Sequence, residues 1–438
     1  MRFRAAVAAA LSILVTSRAM AAGHDVPTLA AAARRSGLRV IEGSRLVLAT
    51  DRPIRPGDGI DDLPRWFDEA FLAWCRHYRI DPATHHDWRS FGCLIVDRER
   101  FRAAGLLPDT LPDFTNGFCD RNRFWLMDQS NPDYRRHLLL HEGVHAFTIT
   151  LRDLDAPPWY AEGIAEMLAT HRLEPDAHGT QQLIITPIPR SAADVEQLGR
   201  IEAIRRLRTA GLAPSLEDVF AMRAAPHGDL AAYASSWAVV ALLSRHPRHA
   251  GMFATMERGP LDATMTGRLT GSTGWDAATA SRDFDAFTDD VDYGYDITRS
   301  AIDWALAPRL EDRVTLRVAA DRGWQNAGVS LARGDRYSIQ ASGRVVIGTT
   351  GDITIESEPD GISLDWYRGR PVGRLLAAQW VEGDEGSRPR FIVLAEGASG
   401  DITARADGPI YFKINEPPGA LADNKDSFTV NISVTKNP

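Results

Sequence analysis

Two histidines four residues apart, in His141-Glu142-Gly143-Val144-His145, are the residues best spaced to do chemistry in this chain. On a helix they are separated by about 400° and so share one face, a turn apart. Imidazoles placed in this way can grip one zinc ion, and Glu142 beside them can act on a water bound to it. Zinc-dependent hydrolysis requires three protein ligands and one open position. Glu162 is the candidate for the third ligand. The 16 residues between His145 and Glu162 suffice to end one helix, turn, and bring a second helix back against the first. Glu166 follows one turn later on the same face, placed to accept a hydrogen bond from a ligating imidazole and fix its tautomer. Helix geometry also leaves open the rival assignment, with Glu166 as the ligand. His137 lies one turn before His141; because the site needs an open position, it reads as a surface or supporting residue rather than a fourth ligand.

These side chains need helices to carry them. Asn131-Pro132-Asp133 is a helix-opening signal, and the segment from Tyr134 to Thr150 should carry the histidine pair. Ala156-Pro157-Pro158 breaks that helix and starts another over Trp159–Thr170. Upstream, Leu46–Thr50, Phe91–Val96 and Arg123–Met127 read as strands. Leu63–Tyr78 has Trp66, Phe67, Ala70, Phe71 and Trp74 at helical spacing. The strand around Phe124–Met127, just before the histidine helix, is a candidate to pair with an extended peptide. Further helices are expected at Ala192–Arg208, Leu230–Ser244 and Ser281–Asp290. Sheet first and helices after argues for an α+β domain over residues 22–305. Asp283, Asp285, Asp289 and Asp290 read as a solvated helix face. The remaining histidines, His246 and His249 among them, lack ligand-like company.

From about Arg313 the texture changes. Val314–Val318, Tyr337–Ala341, Asp352–Ile355, Arg390–Leu394, Ile410–Ile414 and Ser427–Ile432 are short alternating segments between Gly, Pro and Asp turns. They predict a β-sandwich over residues 306–438.

The 438 residues, 44% of them hydrophobic, suffice for two domains with buried cores. Arg2 and Arg4, the apolar Ala5–Val15 stretch and Ala19-Met20-Ala21 form an export-signal pattern over residues 1–21, too short for a membrane span. The mature chain is therefore expected in the periplasm or outside the cell, with no membrane span. Removing Arg2, Arg4 and Arg18 moves the formal charge from −8 to −11, and no basic tract stands out, which argues against a nucleic-acid partner. Cys75, Cys93 and Cys119 permit one disulfide in an oxidising compartment. Cys93 with Cys119, both at strand margins, is the preferred pair.

The histidine motif, followed by Pro158-Trp159-Tyr160-Ala161-Glu162-Gly163-Ile164-Ala165-Glu166, resembles the gluzincin metallopeptidases, in particular the peptidase MA-like group. In that group the glutamate of a Trp-x-x-Glu-Gly-x-Ala segment is the third zinc ligand, which the resemblance assigns to Glu162. The Tyr233–Leu243 segment is similar to the helix that follows the transition-state tyrosine of aminopeptidase-type gluzincins, which would make Tyr233 an oxyanion donor. Two departures matter. The spacing from His145 to Glu162 is shorter than in the aminopeptidase branch, and no Gly-x-Met-Glu-Asn segment precedes the motif, Thr115-Asn116-Gly117-Phe118 standing there instead. Recognition of a free amino terminus is therefore not carried over. The resemblance implies hydrolysis of a peptide or protein substrate, with Glu142 as general base.

The ending Ile414–Ile432, with Gly334-Asp335-Arg336-Tyr337 and Ala341-Ser342-Gly343, is similar to the bacterial galactose-binding lectins of the PA-I type. The family's calcium ligands correspond to Glu416, Ala420, Asp423 and Asn424, with Glu416 standing where an aspartate is usual and Asp423 where an asparagine is. Calcium and a glycan partner are what the resemblance implies; a purely structural sandwich with a polar turn is the plainer reading. For the whole chain, the alternative to an exported zinc peptidase is a carbohydrate-binding or adhesive protein whose peptidase-like part is inactive.

Overall fold

A computed structural model of the chain describes residues 25–435 apart from 54, 56, 196–198, 224–228 and 384–387. The export pattern at 1–21 lies outside the described residues. The molecule is mixed α/β with several sheets and a β-rich C-terminal region.

Helix α1 (Val26–Arg35) leads into strands β1 (Arg39–Glu42) and β2 (Leu46–Thr50), then α2 (Leu63–Tyr78), β3 (Ser90–Ile95), α3 (Arg98–Ala103), β4 (Gly117–Asp120) and β5 (Arg123–Met127). The strands form one sheet in the order β1-β2-β3-β5-β4, in which β2, β3 and β5 run parallel. Both faces are covered, so β2 and β3 are buried at every position rather than alternating. Leu46, Leu48, Leu94, Phe124 and Leu126 face one core, and Val47, Ala49, Phe91, Ile95 and Trp125 face another.

Two sequence expectations fail on this topology. The strand suggested for substrate pairing, β5, is interior; the edge strands are β1 and, beyond β5, β4, bonded only to β5 within the sheet. Cys93 and Cys119 cannot pair, because β5 lies between their strands. Two strand spacings amount to about 9.5 Å, beyond the roughly 7 Å that a disulfide spans. They also face different cores, and all three cysteines are free thiols.

Helix α4 (Pro132–Arg152) begins where Asn131 accepts a hydrogen bond from the Tyr134 amide at 2.9 Å, with Pro132 in the first turn. Its buried side chains, including Leu139, Leu140, Val144 and Phe147, surround most of its circumference, making it a core helix rather than an amphipathic surface one. An aromatic cluster of Phe67, Phe71, Trp74 and Trp88 packs against Phe147, with ring centroids 5.1–6.2 Å apart. Each such ring buried is worth about 1.5–3 kcal/mol, which seats α4 on α2. A short link then returns the chain as α5 (Pro158–Ala169), followed by the hairpin β6 (His171–Pro175) and β7 (Gln181–Ile185).

The expected helix at Ala192–Arg208 is instead a short 3₁₀ turn, Ala192–Val195, and helix α6 (Arg200–Thr209). Gly199 precedes α6 with φ 61°, a backbone that does not continue one helix into the next. Helices α7 (Leu216–Phe220), α8 (Leu230–Arg245), α9 (Ala250–Arg258), α10 (Met265–Thr270) and α11 (Ala277–Asp290) complete this part.

Among the described residues the β-rich region has eleven strands: β8 (Arg313–Ala319), β9 (Gln325–Leu331), β10 (Arg336–Ser342), β11 (Val345–Thr350), β12 (Ile353–Ser357), β13 (Asp360–Tyr367), β14 (Arg370–Val381), β15 (Arg390–Glu396), β16 (Ser399–Thr403), β17 (Gly408–Ile414) and β18 (Ser427–Val434). Its principal sheets have the orders β16-β10-β18-β8 and β13-β14-β17-β9, with β15 added on β14. They enclose a separate core that includes Val318, Ile339, Leu375, Phe412, Val430 and Ile432. At the join, Trp304 packs on Trp380 and Tyr411 at 5.0 and 5.8 Å. The expected solvated aspartate face of α11 lies against this join. Asp283 and Asp285 are buried; Asp285 bonds Arg208 and Arg388, and Asp290 accepts from Lys413 Nζ at 2.8 Å.

Gly163 of α5 allows a close approach of α8. A Cβ there would fall 2.4 Å from the Ser236 carbonyl oxygen and 2.6 Å from Val240 Cγ2 on α8. Gly163→Ala would gain about 1 kcal/mol of helix propensity but must push backbone aside. A net loss of about 2 kcal/mol is expected, measured as a lower urea midpoint. A midpoint equal to or above wild type would mean that α5 and α8 are not so closely packed.

Candidate metal centre

His141 and His145 lie one turn apart on α4 and point toward α5, where Glu162 stands opposite them. The two Nε2 atoms are 3.2 Å apart, and Glu162 Oε2 lies 3.4 Å from the first and 3.5 Å from the second. Three ligand atoms thus form a nearly equilateral triangle that could hold a metal ion. Glu162 Oε2 is buried without a hydrogen-bond partner, a costly state for a carboxylate unless something positive sits before it.

The second ring nitrogen of His141, Nδ1, lies 3.2 Å from Glu166 Oε1. Glu166 is only 2% exposed, and its charge is matched by Arg200, whose Nη2 and Nε donate to its two oxygens at 2.6 and 2.8 Å. His137 Nε2 stands 3.3 Å from Glu166 Oε2, while its Nδ1 is 3.2 Å from the Ala169 carbonyl. The geometry therefore gives Glu162 the place between both imidazoles and puts Glu166 behind His141. His137 faces Glu166, not the triangle.

Charge follows from this packing. Burial alone would push the Glu166 carboxyl up, but Arg200 and His137 hold it well below the usual carboxylate range. Burial likewise works against Glu162, yet the two imidazoles keep it ionised. His141 is opposed by burial too, but the carboxylates of Glu162 and Glu166 beside it push its pKa up to about 10. The pocket favours a positive charge at the point where the ligand atoms converge.

Glu142 faces the edge strand. A Cβ on Gly117 would fall 2.4 Å from Glu142 Oε1, so β4 approaches the carboxylate as closely as only glycine allows. Tyr233, in the first turn of α8, presents its ring edgewise to His141 with centroids 5.9 Å apart. Its phenol is pushed upward by burial and then by Glu162, Glu142 and Glu166, so it remains a hydrogen-bond donor. Arg200 lies over the Tyr233 ring at 5.6 Å, linking it to Glu166.

Arg200 and Tyr134 also belong to this group, although no motif in the sequence marks them. Tyr134 is seven residues before His141, hence on nearly the same helical face, and its phenol is raised by burial and influenced by Arg200, Glu166 and Glu142. That periodicity was available in the sequence. For Arg200, 34 residues from Glu166 and on another helix, no local signal existed.

A second cluster corrects the reading of His246 and His249 as isolated. With Asp283 they form a buried group within ligand distance of one another. Asp283 is already engaged: Oδ1 accepts from Trp304 Nε1 at 2.8 Å, and Oδ2 from Arg248 and His249 at 2.5 and 2.7 Å. Its arginine partner fills the role that a cation would, and the cluster ties α11 to the join between the two parts.

In the C-terminal region, Glu416 and Asn424 are both buried, and Asn424 Nδ2 donates to Glu416 Oε2. The same amide donates to the Ala320 carbonyl at 3.1 Å, whereas Asn424 Oδ1 is buried without a partner. Asp423 is exposed in a 3₁₀ turn, Leu421–Asp423, that follows Ala420. Burial foremost, with the nearby Asp423, pushes the Glu416 carboxyl up to about 8.

No family model matches the chain, and no curated protein does. Among solved structures, one titled "EclA N-terminal domain; PllA-like lectin" is similar over 28% of this chain and 95% of its own, at 20% identity and a TM-score of 0.21. So low a score bears on neither fold nor ligand. No helix among the described residues is long and apolar enough to cross a membrane.

Glu416 gives a pH-dependent expectation. Its folded pKa lies above the unfolded value near 4.5, so its stabilising contribution is complete below about pH 4.5. It is lost progressively as pH rises toward 8. Glu416→Gln should flatten that decline and exceed wild type by a few kcal/mol at pH 8 in chelator, since a tenfold change in proton affinity is about 1.4 kcal/mol. Parallel melting-temperature profiles from pH 5 to 8 would contradict a buried protonated carboxyl.

Proposed function

We propose that this chain is an exported zinc-dependent peptidase of the gluzincin type, with His141, His145 and Glu162 as ligands. The supporting observation is the ligand triangle. Atoms bound at about 2.0–2.1 Å in a tetrahedral zinc site lie about 3.3–3.4 Å from one another, and the three edges here are 3.2, 3.4 and 3.5 Å. Two imidazoles and one carboxylate, with a fourth position left for water, form a donor set suited to zinc, and the buried, partnerless Glu162 Oε2 fits it.

When bound, zinc would lower the pKa of a water toward about 7 and polarise a carbonyl. Glu142, next to His141 in sequence and pressed against β4, accepts the proton of the attacking water and returns it to the leaving amine. Tyr233, kept protonated, donates to the developing oxyanion. Glu166 holds His141 in one tautomer through Nδ1, and Arg200 keeps Glu166 ionised while bracing the Tyr233 ring. Strand β4, at an edge of its sheet and close against Glu142, is where an extended peptide can add alongside, its scissile bond near Glu142.

The C-terminal region serves in this reading as a glycan- or surface-binding module. Trp366 and Leu364, two residues apart and 58% and 93% exposed, are the apolar surface such a module would present to a ligand. Calcium would be held by Glu416, the Ala420 carbonyl, Asp423 and Asn424, whose buried Oδ1 lacks a partner. The same exposed Trp366 favours the competing reading, a carbohydrate-binding protein whose His–Glu cluster is inert.

Two substitutions separate these readings. Glu142→Gln should keep one equivalent of zinc by elemental analysis while hydrolysis of a peptide library falls by about 10²–10⁴-fold; undiminished turnover would remove Glu142 as the base. Glu162→Ala should weaken zinc binding by more than the roughly 10–100-fold typical of a supporting residue. Wild-type protein that holds no zinc would overturn the assignment.

A further inference from the structure

On the other side of α5 from the metal centre, a cavity of about 350 Å³ opens where the C-terminal ends of α2, α4, α8 and α9 converge. Tyr160 lies beneath it and Glu162 faces the metal centre; two residues apart on a helix, they point about 160° from each other. Five arginines line the cavity: Arg76, Arg79, Arg152, Arg245 and Arg258. Glu257 is the sole carboxylate among the lining residues, and it is engaged by Tyr160 Oη at 2.8 Å and by His77 at 3.1 Å.

Two of the arginines have structural work. Arg152 donates to the carbonyls of Glu257 and Gly259 at 2.8 and 3.1 Å, and Arg258 to Thr255 Oγ1 at 2.6 Å. Arg76, Arg79 and Arg245 are exposed at the rim and form no ion pair among the described residues. C-terminal helix ends attract cations, and the four that converge here account for part of the charge. Each contributes about −0.5, so together with Glu257 they offset about three of the five guanidinium charges. About two positive charges remain in a chain whose formal charge is −8. Arg79 caps α2 with φ 56°, a left-handed helix-ending position of the kind that Asp153 takes at the end of α4.

We infer that this cavity binds a dianionic oxyanion of the phosphate class, held by Arg76, Arg79 and Arg245. Guanidinium groups match such oxygens with paired, charge-assisted hydrogen bonds. The volume exceeds that of a free phosphate, and Met167, Ala250 and Ala254 give part of the wall an apolar character. The space therefore suits a phosphate ester on a body about the size of one sugar.

The test is calorimetric titration of the full chain with inorganic phosphate, glucose 6-phosphate and glucose, with sodium chloride at matched ionic strength as control. Phosphate and its ester should bind while glucose and chloride do not. Arg76→Gln/Arg245→Gln should weaken both by at least tenfold, with the ligand-free melting temperature unchanged. The same variant separates this cavity from phosphate captured at the metal centre, which it would leave intact. Tighter binding of the ester assigns an organic phosphate; preference for inorganic phosphate assigns the free anion. Equal affinity in wild type and double variant, or a chloride effect equal to that of phosphate, would overturn the inference. Should the double variant melt early, Arg245→Gln alone gives the same comparison at one exposed position.

Discussion

A carboxylate with almost no contact with water, Glu166, is the constraint on which the arrangement around the histidine pair depends. Burying such a charge unmatched costs several kcal/mol even after relaxation, so the fold must bring cations to it. Arg200 supplies the charge from α6, while His137 and His141 approach from α4. One side chain of α5 thereby fixes two other helices at once. Because Glu162 is one turn before Glu166 on the same helix, anchoring the second carboxylate aims the first between the two imidazoles.

The remaining packing serves that anchoring. Aromatic rings from α2 seat the core helix α4, and the glycine at 163 lets α8 approach α5 closely enough to bring Tyr233 beside His141. On the opposite side, Gly117 lets the edge strand reach Glu142. Each of these contacts is steric at its origin, yet the outcome is electrostatic: three carboxylates surround two imidazoles and leave a point where positive charge is favoured. The β-rich region has its own core and meets the helical part through the Trp304 ring cluster and ion pairs along α11.

Much of the site was legible because it is written in local spacing. Residues four apart share a helix face whatever the fold, so the pairing of His141 with His145, and of Glu162 with Glu166, followed from sequence alone. Proline and asparagine at 131–132 and 157–158 marked where those helices start. Six of the eleven described C-terminal strands were visible through period-two alternation. By contrast, β14 (Arg370–Val381) is buried at most positions, which erases alternation. The aspartates of α11 misled for a related reason: a row of charges on one face looks solvated unless one knows that Arg208, Arg388 and Lys413 will be packed against it.

Sequence by itself determined which side chains ride together on a helix, where those helices begin, and that a strand-rich segment follows them. Only the tertiary structure decided that β4 is an edge strand, that Cys93 and Cys119 are kept apart, that Arg200 meets Glu166, and that arginines from four helix ends share one cavity. The division has one physical cause. Backbone periodicity is set by bonded geometry within a few residues, whereas sheet order and charge pairing depend on which distant surfaces can be buried together.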